Sequence, residues 1–359
     1  MASDLSLGEF GALAEKIVLS GAIADCVWEN AETLDVIRKH KLHRTGVELT
    51  ADNKWMLKHK NVGTGGTWGG RGQVHELNPE SIEDQAHLPV VELEETVAMY
   101  QKDLDDNETS TRNIANILVS RVESATTKIS NNINSTFYND GTNPLEPVGF
   151  KSSISSSGSY AGITRSTDTY WQSLVYSTGA STRTFENLSD ITDKTNYIRN
   201  VFGVFQTALQ QRRGYGVVPN LKNYICLAPP GFLLAYKNAV DNYLQVNYGQ
   251  HKSVDLATNM VEFAGVPIYA DPDNESDTYA YIYLLPADGK NFQVLFGKQR
   301  GFTMQKNGIV GWSGWSKLTP RQSAFGGMLR LRMCVVNKVP GICGVMYCHG
   351  ATVSTVSIA

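Results

Sequence analysis

The stretch GVELTADNKWMLKHKNVGTGGTWGGRGQVHEL, residues 46–77, limits the fold more than any other part of the chain. Two strand-like runs flank a tip with six glycines between residues 63 and 72. Glycine admits positive φ without steric cost and the flanks alternate loosely, so the segment predicts a long β-hairpin. An isolated two-stranded ribbon is marginal in water, and this one carries Trp55 and Trp68, whose indoles need cover. No helical segment adjoins it. The ribbon must either fold back on its own chain or lie across another subunit.

A chain of 359 residues exceeds what one hydrophobic core usually holds, so more than one core-bearing unit is expected. With 42% hydrophobic and 19% charged residues it belongs with folded chains, not disordered ones. A net charge of -3 supplies no basic face for tight nucleic-acid binding, so any contact with DNA is expected to be incidental. The five cysteines, Cys26, Cys226, Cys334, Cys343 and Cys348, are odd in number and scattered, which argues against a disulfide framework and for a reducing compartment. Cys343, Cys348 and His349 fit no zinc spacing. The start, MASDLSLGEFGALAEKIVL, lacks a basic n-region and carries Asp4, Glu9 and Glu15, unlike a secretory signal. No apolar run approaches ~18 residues, so no membrane span is expected.

Phe10, Leu13, Ile17 and Ile23 fall roughly at helical spacing and predict an amphipathic N-terminal arm. After Pro89, the residues Val90, Leu93, Val97, Met99 and Leu104 suit a strand or a short helix. Beyond Asn107 a long helix is expected, with Ile114, Ile117, Leu118, Val122, Ala125, Ile129, Ile133 and Phe137 on its inward stripe. Ser110 or Thr109 can cap its start, and Asn139 with Gly141 can end it. Roughly thirty residues at ~1.5 Å each make it ~45 Å long. Its other face, Asn113, Asn116, Ser120, Ser124, Asn131 and Asn134, carries few charges and suits hydrogen bonding to protein more than to water.

The tract SSSGSYAGITRSTDTYWQS follows. Serine and glycine cost much entropy to order, so it predicts a linker, pinned at its far end by Tyr170 and Trp171. A second helix from Ile191 turns Ile198, Val201, Phe202, Phe205 and Leu209 inward and stops at Arg212, Arg213 and Gly214. NYICLAPPGFLLAYKNAVDNYL predicts a buried strand and then a helix opened by its proline pair. VEFAGVPIYADP and TYAYIYLLP read as strands, the second central, and NFQVLFGKQRGFTMQ as two more. MLRLRMCVVNKVPGICGVMY reads as a hairpin turning at residues 337–341.

Candidate chemistry is thin. GTGGTWGGRG lacks the Lys-Ser/Thr pair of a P-loop and no helix follows it, which leaves a hairpin tip. GWSGW, residues 311–315, places Trp315 where a nucleophile elbow needs its second glycine, which leaves a surface turn. DPDNESD, residues 271–277, spaces oxygens like a calcium loop, but Ser276 replaces the turn glycine and Ile282 the bidentate glutamate, so a solvated turn is expected. His59, His75 and His87 are too dispersed to argue from, and no Ser/His/Asp set or carboxylate pair stands out. No catalytic residue, cofactor or metal is expected.

The order of arm, glycine-tipped hairpin, Pro89 with its strand, long helix ending FYNDGT, and then AGITRSTDTYWQS resembles the major capsid protein of tailed bacteriophages, the Hong Kong 97-like fold. In that family a G-G-I-D-R-S run followed by an aromatic and Trp comes shortly after the long helix, and Gly162, Ile163, Arg165, Ser166 and Trp171 look like it. LAPPGFLLAY, VEFAGVPIYAD and MLRLRMCVVNKVPGICGV resemble later segments, so the likeness runs from about residue 46 to residue 347.

The resemblance implies an α+β fold in five parts. These are an N-terminal arm at 1–44, an extended β-hairpin E-loop at 45–88, a peripheral domain at 89–190 with a spine helix at about 109–139, an axial domain at 191–319 with a central β-sheet flanked by helices, and a return to the peripheral domain at 320–359. It implies a non-enzymatic, self-assembling homo-oligomer: pentamers and hexamers of an icosahedral shell in a virion, built in the host cytoplasm around double-stranded DNA held without sequence-specific binding. Inter-subunit contacts fall on Lys54, Trp55, Trp68 and Arg71 of the hairpin, Phe10 of the arm, and Asn113 and Asn131 of the helix. Scaffolding, if used, is expected as a separate protein because only some forty-five residues precede the hairpin; portal and decoration proteins are further implied partners. Some relatives join a hairpin lysine to an asparagine with help from a glutamate. Lys54, Lys58, Lys60 and Asn337 could fill two of those roles, but residues 337–347 hold no acid, so no covalent linkage is expected. The alternatives are an encapsulin-like nanocompartment shell and, from another class, an α+β hydrolase.

Overall fold

The computed structural model describes residues 31–58, 83–100, 102, 111–177, 203, 206–210, 223–234, 236–237, 260–263, 265–274, 279–299, 302–304, 309–314, 316–319 and 322–349. In chain order the elements are α1 (Glu32–Lys39), β1 (His43–Val47), β2 (Asp52–Lys58), β3 (Glu83–Pro89), β4 (Val91–Tyr100), α2 (Thr111–Thr136), α3 (Phe150–Ser153), β5 (Ser159–Tyr160), β6 (Ile163–Thr164) and β7 (Leu174–Ser177). There follow β8 (Tyr224–Ala228), β9 (Met260–Phe263), β10 (Val266–Ala270), β11 (Tyr279–Pro286), β12 (Phe292–Gly297), β13 (Thr303–Met304), β14 (Val310–Trp312), β15 (Ser316–Thr319), β16 (Gln322–Asn337) and β17 (Gly344–His349).

Two larger sheets organise the chain. In one, β4 lies antiparallel along one side of β16 while β15, β14 and β12 follow one another along its other side, with β1 beyond β12 and β13 beyond β14. The other is mixed, in the order β7-β17-β11-β8-β10-β9. Strand side chains alternate between faces, and here both faces are covered. In β8, Ile225 and Leu227 enter one core cluster and Tyr224, Cys226 and Ala228 another. In β16, Val335 faces the first cluster, while Cys334 and Val336 enter a third with Trp171. The run YICLA is therefore continuously apolar, as a strand buried on both sides requires, and TYAYIYLLP is an interior strand as expected.

Helix α2 joins the two sheets. Its stripe of Leu118, Val122, Ala125, Ile129, Ile133 and Phe137 is buried in the cluster that also contains Leu329 and Leu331 of β16 and Tyr283 and Leu285 of β11. It spans 26 residues, about 39 Å at ~1.5 Å per residue. Asn139 and Gly141 end it as expected: the Asn139 side-chain Oδ1 accepts the Gly141 and Gly149 N–H groups at 3.2 and 2.8 Å, and Gly141 takes a φ of +73.

Several expectations change. Residues 32–44 are not peripheral: α1 buries Thr33, Leu34, Val36 and Ile37, and β1 pairs in parallel with β12. The hairpin ladder accordingly begins at Asp52, opposite Pro89, not at residue 45 or 46. The closing segment is not a hairpin, because β16 and β17 lie in different sheets and the turn between them carries the chain across. In GWSGW, Ser313 is exposed and Gly314 takes positive φ, but Trp312 is not a surface aromatic: it is 1% exposed in the core, and Trp315 lies outside the described residues. DPDNESD does not begin in solvent, for Asp271 is buried beneath α1 and α2. Asn134, placed on the polar face of α2, is buried with it.

That buried pair ties α1 to both partners. Asp271 accepts the Thr33 N–H at 3.1 Å, the Asn134 amide at 3.0 Å and the Asp273 N–H at 2.9 Å, and also the Thr33 hydroxyl. At the other end of α1, His40 Nε2 lies 2.8 Å from the Tyr269 hydroxyl of β10. Burial, and the nearby Lys39 charge, hold the His40 pKa below the usual 6.5; burial and Arg38 do the same for His43, partly offset by a hydrogen bond with the Ile37 backbone. Because the unfolded chain binds protons more readily at both sites, their contribution is complete above about pH 6.5 and is lost as pH falls below it. Thermal melts should show a loss of stability from pH 7.5 to 5.5 that is smaller in a His40→Gln, His43→Gln double variant; parallel pH profiles for the two chains would contradict this.

Candidate assembly interface

The hairpin is a true antiparallel ladder, with Lys54 opposite His87, Trp55 opposite Ala86 and Met56 opposite Gln85. Strand alternation sends Trp55, Ala86 and Leu88 toward the body and leaves Lys54 and Met56 exposed, Met56 by 59%. Trp55 is half-buried in its own chain, against the cluster of Leu49, Ala86, Leu88, Tyr160, Ala161, Ile163 and Trp171. The first of the two options for the ribbon thus holds at its root. The Trp55 indole N–H is nevertheless enclosed without an acceptor among the described residues.

What the hairpin root rests on is the serine-glycine tract, which is not a linker. Directly after α3 it folds into the miniature β5–β6 hairpin and a 3-10 turn at Thr169–Trp171. Its centre is Arg165, 1% exposed, whose guanidinium donates to the carbonyls of Ser152, Ser153, Ser157 and Trp171 at 2.8–3.3 Å. Trp171, fully buried, donates Nε1–H to the Tyr160 carbonyl at 2.9 Å, and the Tyr160 hydroxyl accepts the Asn337 N–H at 2.9 Å. One buried cation thereby orders a segment whose side chains are too small to order themselves. The anchoring of Trp171 was legible; the role of Arg165 was not, although it stands in the motif AGITRS.

Of the proposed contact residues, Lys54 and Asn131 are exposed and Trp55 is half-buried. Asn113 lies in α2, its side chain outside the described residues, as are Phe10, Trp68 and Arg71. On the polar face of α2, Asn116, Ser120, Ser124 and Asn131 are exposed. Among the described residues, sequence reasoning did not mark the large exposed side chains of Tyr100 at the end of β4, 63% exposed, Leu145 in the loop after α2, 81% exposed, and Leu234, 53% exposed. On the β4–β16 face Glu92 and Glu94 pair with Arg332 and Arg330 at 2.8 and 2.5 Å. These charges pair β4 with β16 across the face of the sheet, and the Arg121 side chain of α2 donates to the Ala98 carbonyl of β4.

Among the described residues no group of three or more His, Cys, Asp or Glu side chains could hold a metal ion. Burial pushes the thiols of Cys334 and Cys343 up to about 12, so neither is a nucleophile at neutral pH. Among the described residues no helix is long and apolar enough to cross a membrane.

A long helix on a sheet, a second sheet packed on the same core and a two-stranded hairpin against it make up an α+β arrangement with known counterparts. Comparison of whole structures bears this out. The capsid of cyanophage A-1(L) matches over 85% of this chain and 90% of its own, with a TM-score of 0.56 and 16% identity. The capsid of Myoviridae phage XM1 matches over 87% and 90%, with a TM-score of 0.53 and 12% identity. The SrpI encapsulin of Synechococcus elongatus PCC 7942 matches over 87% and 85%, with a TM-score of 0.52 and 10% identity. By sequence, no family model and no curated protein matches. The chain has the α+β fold of phage capsid proteins, as its motifs suggested, and an encapsulin shares that fold.

Proposed function

We propose that this chain is the major capsid protein of a tailed phage, a non-enzymatic subunit whose copies form pentamers and hexamers of an icosahedral shell around double-stranded DNA. The observation that carries the reading is the extent of the match: one fold accounts for 85% of this chain and 90% of a phage capsid chain. Hairpin, arm and the polar face of α2 supply the inter-subunit contacts. Obligate contacts of this kind typically bury about 2,000 Å² or more, and closing a shell engages many at once, so each can be modest. A net charge of -3 suits a container that holds DNA without adhering to it. A separate scaffolding protein, a portal and decoration proteins are the further partners, with assembly in the host cytoplasm.

The encapsulin match supports a second reading, a nanocompartment enclosing protein cargo. Sedimentation and negative-stain imaging of the expressed chain should give capsomers or closed particles; a stable monomer would refute both shell readings and favour an enzyme. Nucleic acid within particles purified from their natural source separates virion from nanocompartment.

The subunits are joined without covalent links. Asn337, the one asparagine matched to a linking role, is fully buried, and its amide pairs with Cys343 Sγ at 3.3 Å. No lysine of a neighbour reaches it without unfolding the turn. A denaturing gel of mature particles should therefore show only the monomer band, and a ladder of multiples would disprove this.

A further inference from the structure

The large hairpin leaves the body beside a miniature one. β5 and β6 are joined by Ala161 and Gly162, with φ of +55 and +83, the pair of positive values that a two-residue type I′ turn needs. Glycine adopts such angles freely and alanine does not; Ala161 and Lys41 are the non-glycine residues at positive φ among those described. Asparagine would ease the turn, but position 161 is 6% exposed, in one cluster with Ala86 and Leu88 of the hairpin, where a polar side chain would lose water without gaining a partner. Backbone strain retained at a contact points to a positional task.

The contact itself is direct. The His87 N–H of β3 donates to the Ala161 carbonyl at 3.0 Å, and a Cβ added to Gly162 would stand 2.5 Å from His87 Cε1. Behind it the turn cannot recoil. Tyr160 is held by Trp171 on one side and by the end of β16 on the other, and Arg165 fastens the loop beneath.

We infer that the 160–163 turn is a mount that fixes the direction in which the β2–β3 hairpin leaves the body, with Ala161 and His87 as positioning residues for assembly. The purpose rests on the shell reading; the geometry does not. Repeated head-to-tail contacts close only when the rotation from one copy to the next is right, so a hinge in the reaching element spreads the curvature of the product.

The test uses the full chain with Cys26 and Cys348 changed to serine and spin labels on Met56→Cys and Leu145→Cys, two exposed sites on hairpin and body. His87→Pro removes the mount hydrogen bond and spares the ladder, because the N–H of residue 87 points away from β2. Ala86→Leu wedges hairpin from turn by a second route and serves if the proline variant does not fold. The expected result is one narrow label distance in the parent, a broadened or shifted distance in either variant with the melting point little changed, and particles of mixed diameter or incomplete closure. A parent distribution already broad, or one that neither variant alters, overturns the mount. Altered distances with particles of parental diameter overturn its role in assembly. A parent that forms no particle removes the shell reading, while the label distances still decide the mount.

Discussion

Replacing Arg165 with methionine should destabilise the subunit by on the order of 4 kcal/mol, among the largest effects of any single change outside the main core. Methionine retains much of the apolar stem but leaves the carbonyls of Ser152, Ser153, Ser157 and Trp171 without their donor. Leaving a buried acceptor unmet costs roughly 1 to 3 kcal/mol, and the four losses are not additive because the loop can relax toward water. Burial lowers the Arg165 pKa to about 10, which still leaves it charged at neutral pH, and the Tyr160 ring 5.6 Å away adds a favourable face. Arg165→Lys should recover only part of the loss, since an ammonium has three donors and no fork to span separate carbonyls. Thermal melting of the three chains decides the matter. Methionine melting within about 2 °C of the parent would show that the guanidinium does not hold the tract together.

Gly327→Ala should be comparably damaging for the opposite reason. Gly327 lies within β16 opposite Val97, and a Cβ there would come within 2.0 Å of Trp312 Cη2 and 2.2 Å of Cζ2. Trp312 is 1% exposed and cannot swing aside, so strand or indole must move, at a cost on the order of 3 kcal/mol. Trp312→Leu alone opens a cavity and should cost a similar amount, about 3 kcal/mol. Combined, the new methyl enters the space the indole vacates, and the double variant should be more stable than the sum of the singles by at least ~1 kcal/mol. Strict additivity in denaturant unfolding would mean that the glycine serves something other than the indole.

What the sequence disclosed follows the range of the interactions involved. The stripe of α2 was readable because a helix repeats its inward positions locally, and Leu118 through Phe137 are buried as expected. Asn134 was misplaced on the polar face because its partner Asp271 lies 137 residues away, and no local pattern announces a polar side chain satisfied at that distance. The turn after Asn337 was found, but the sheet each flanking strand would join was not, since a turn signal fixes a change of direction and not a partner. Trp312 was taken for a surface aromatic because the glycine that accommodates it is fifteen residues further on. The tract around Arg165 looked unstructured because its composition is that of a linker, and only the carbonyl geometry shows why one arginine suffices. Of the residues expected at inter-subunit contacts, Lys54 and Asn131 are exposed and Trp55 is half-buried, whereas the exposed Tyr100 and Leu145 carry no pattern to mark them.

The long strand β16 has a mechanical consequence. If copies of this chain form a closed wall around a compressed polymer, as proposed, the wall is stretched in its own plane and each subunit carries that tension between its neighbours. Flanked by β4 along one side and by β15, β14 and β12 along the other, β16 cannot be unzipped bond by bond from an end; extension along it has to shear many hydrogen bonds at once. Pulling a single subunit lengthwise should therefore meet its greatest resistance here, with the two-stranded β2–β3 ladder yielding first.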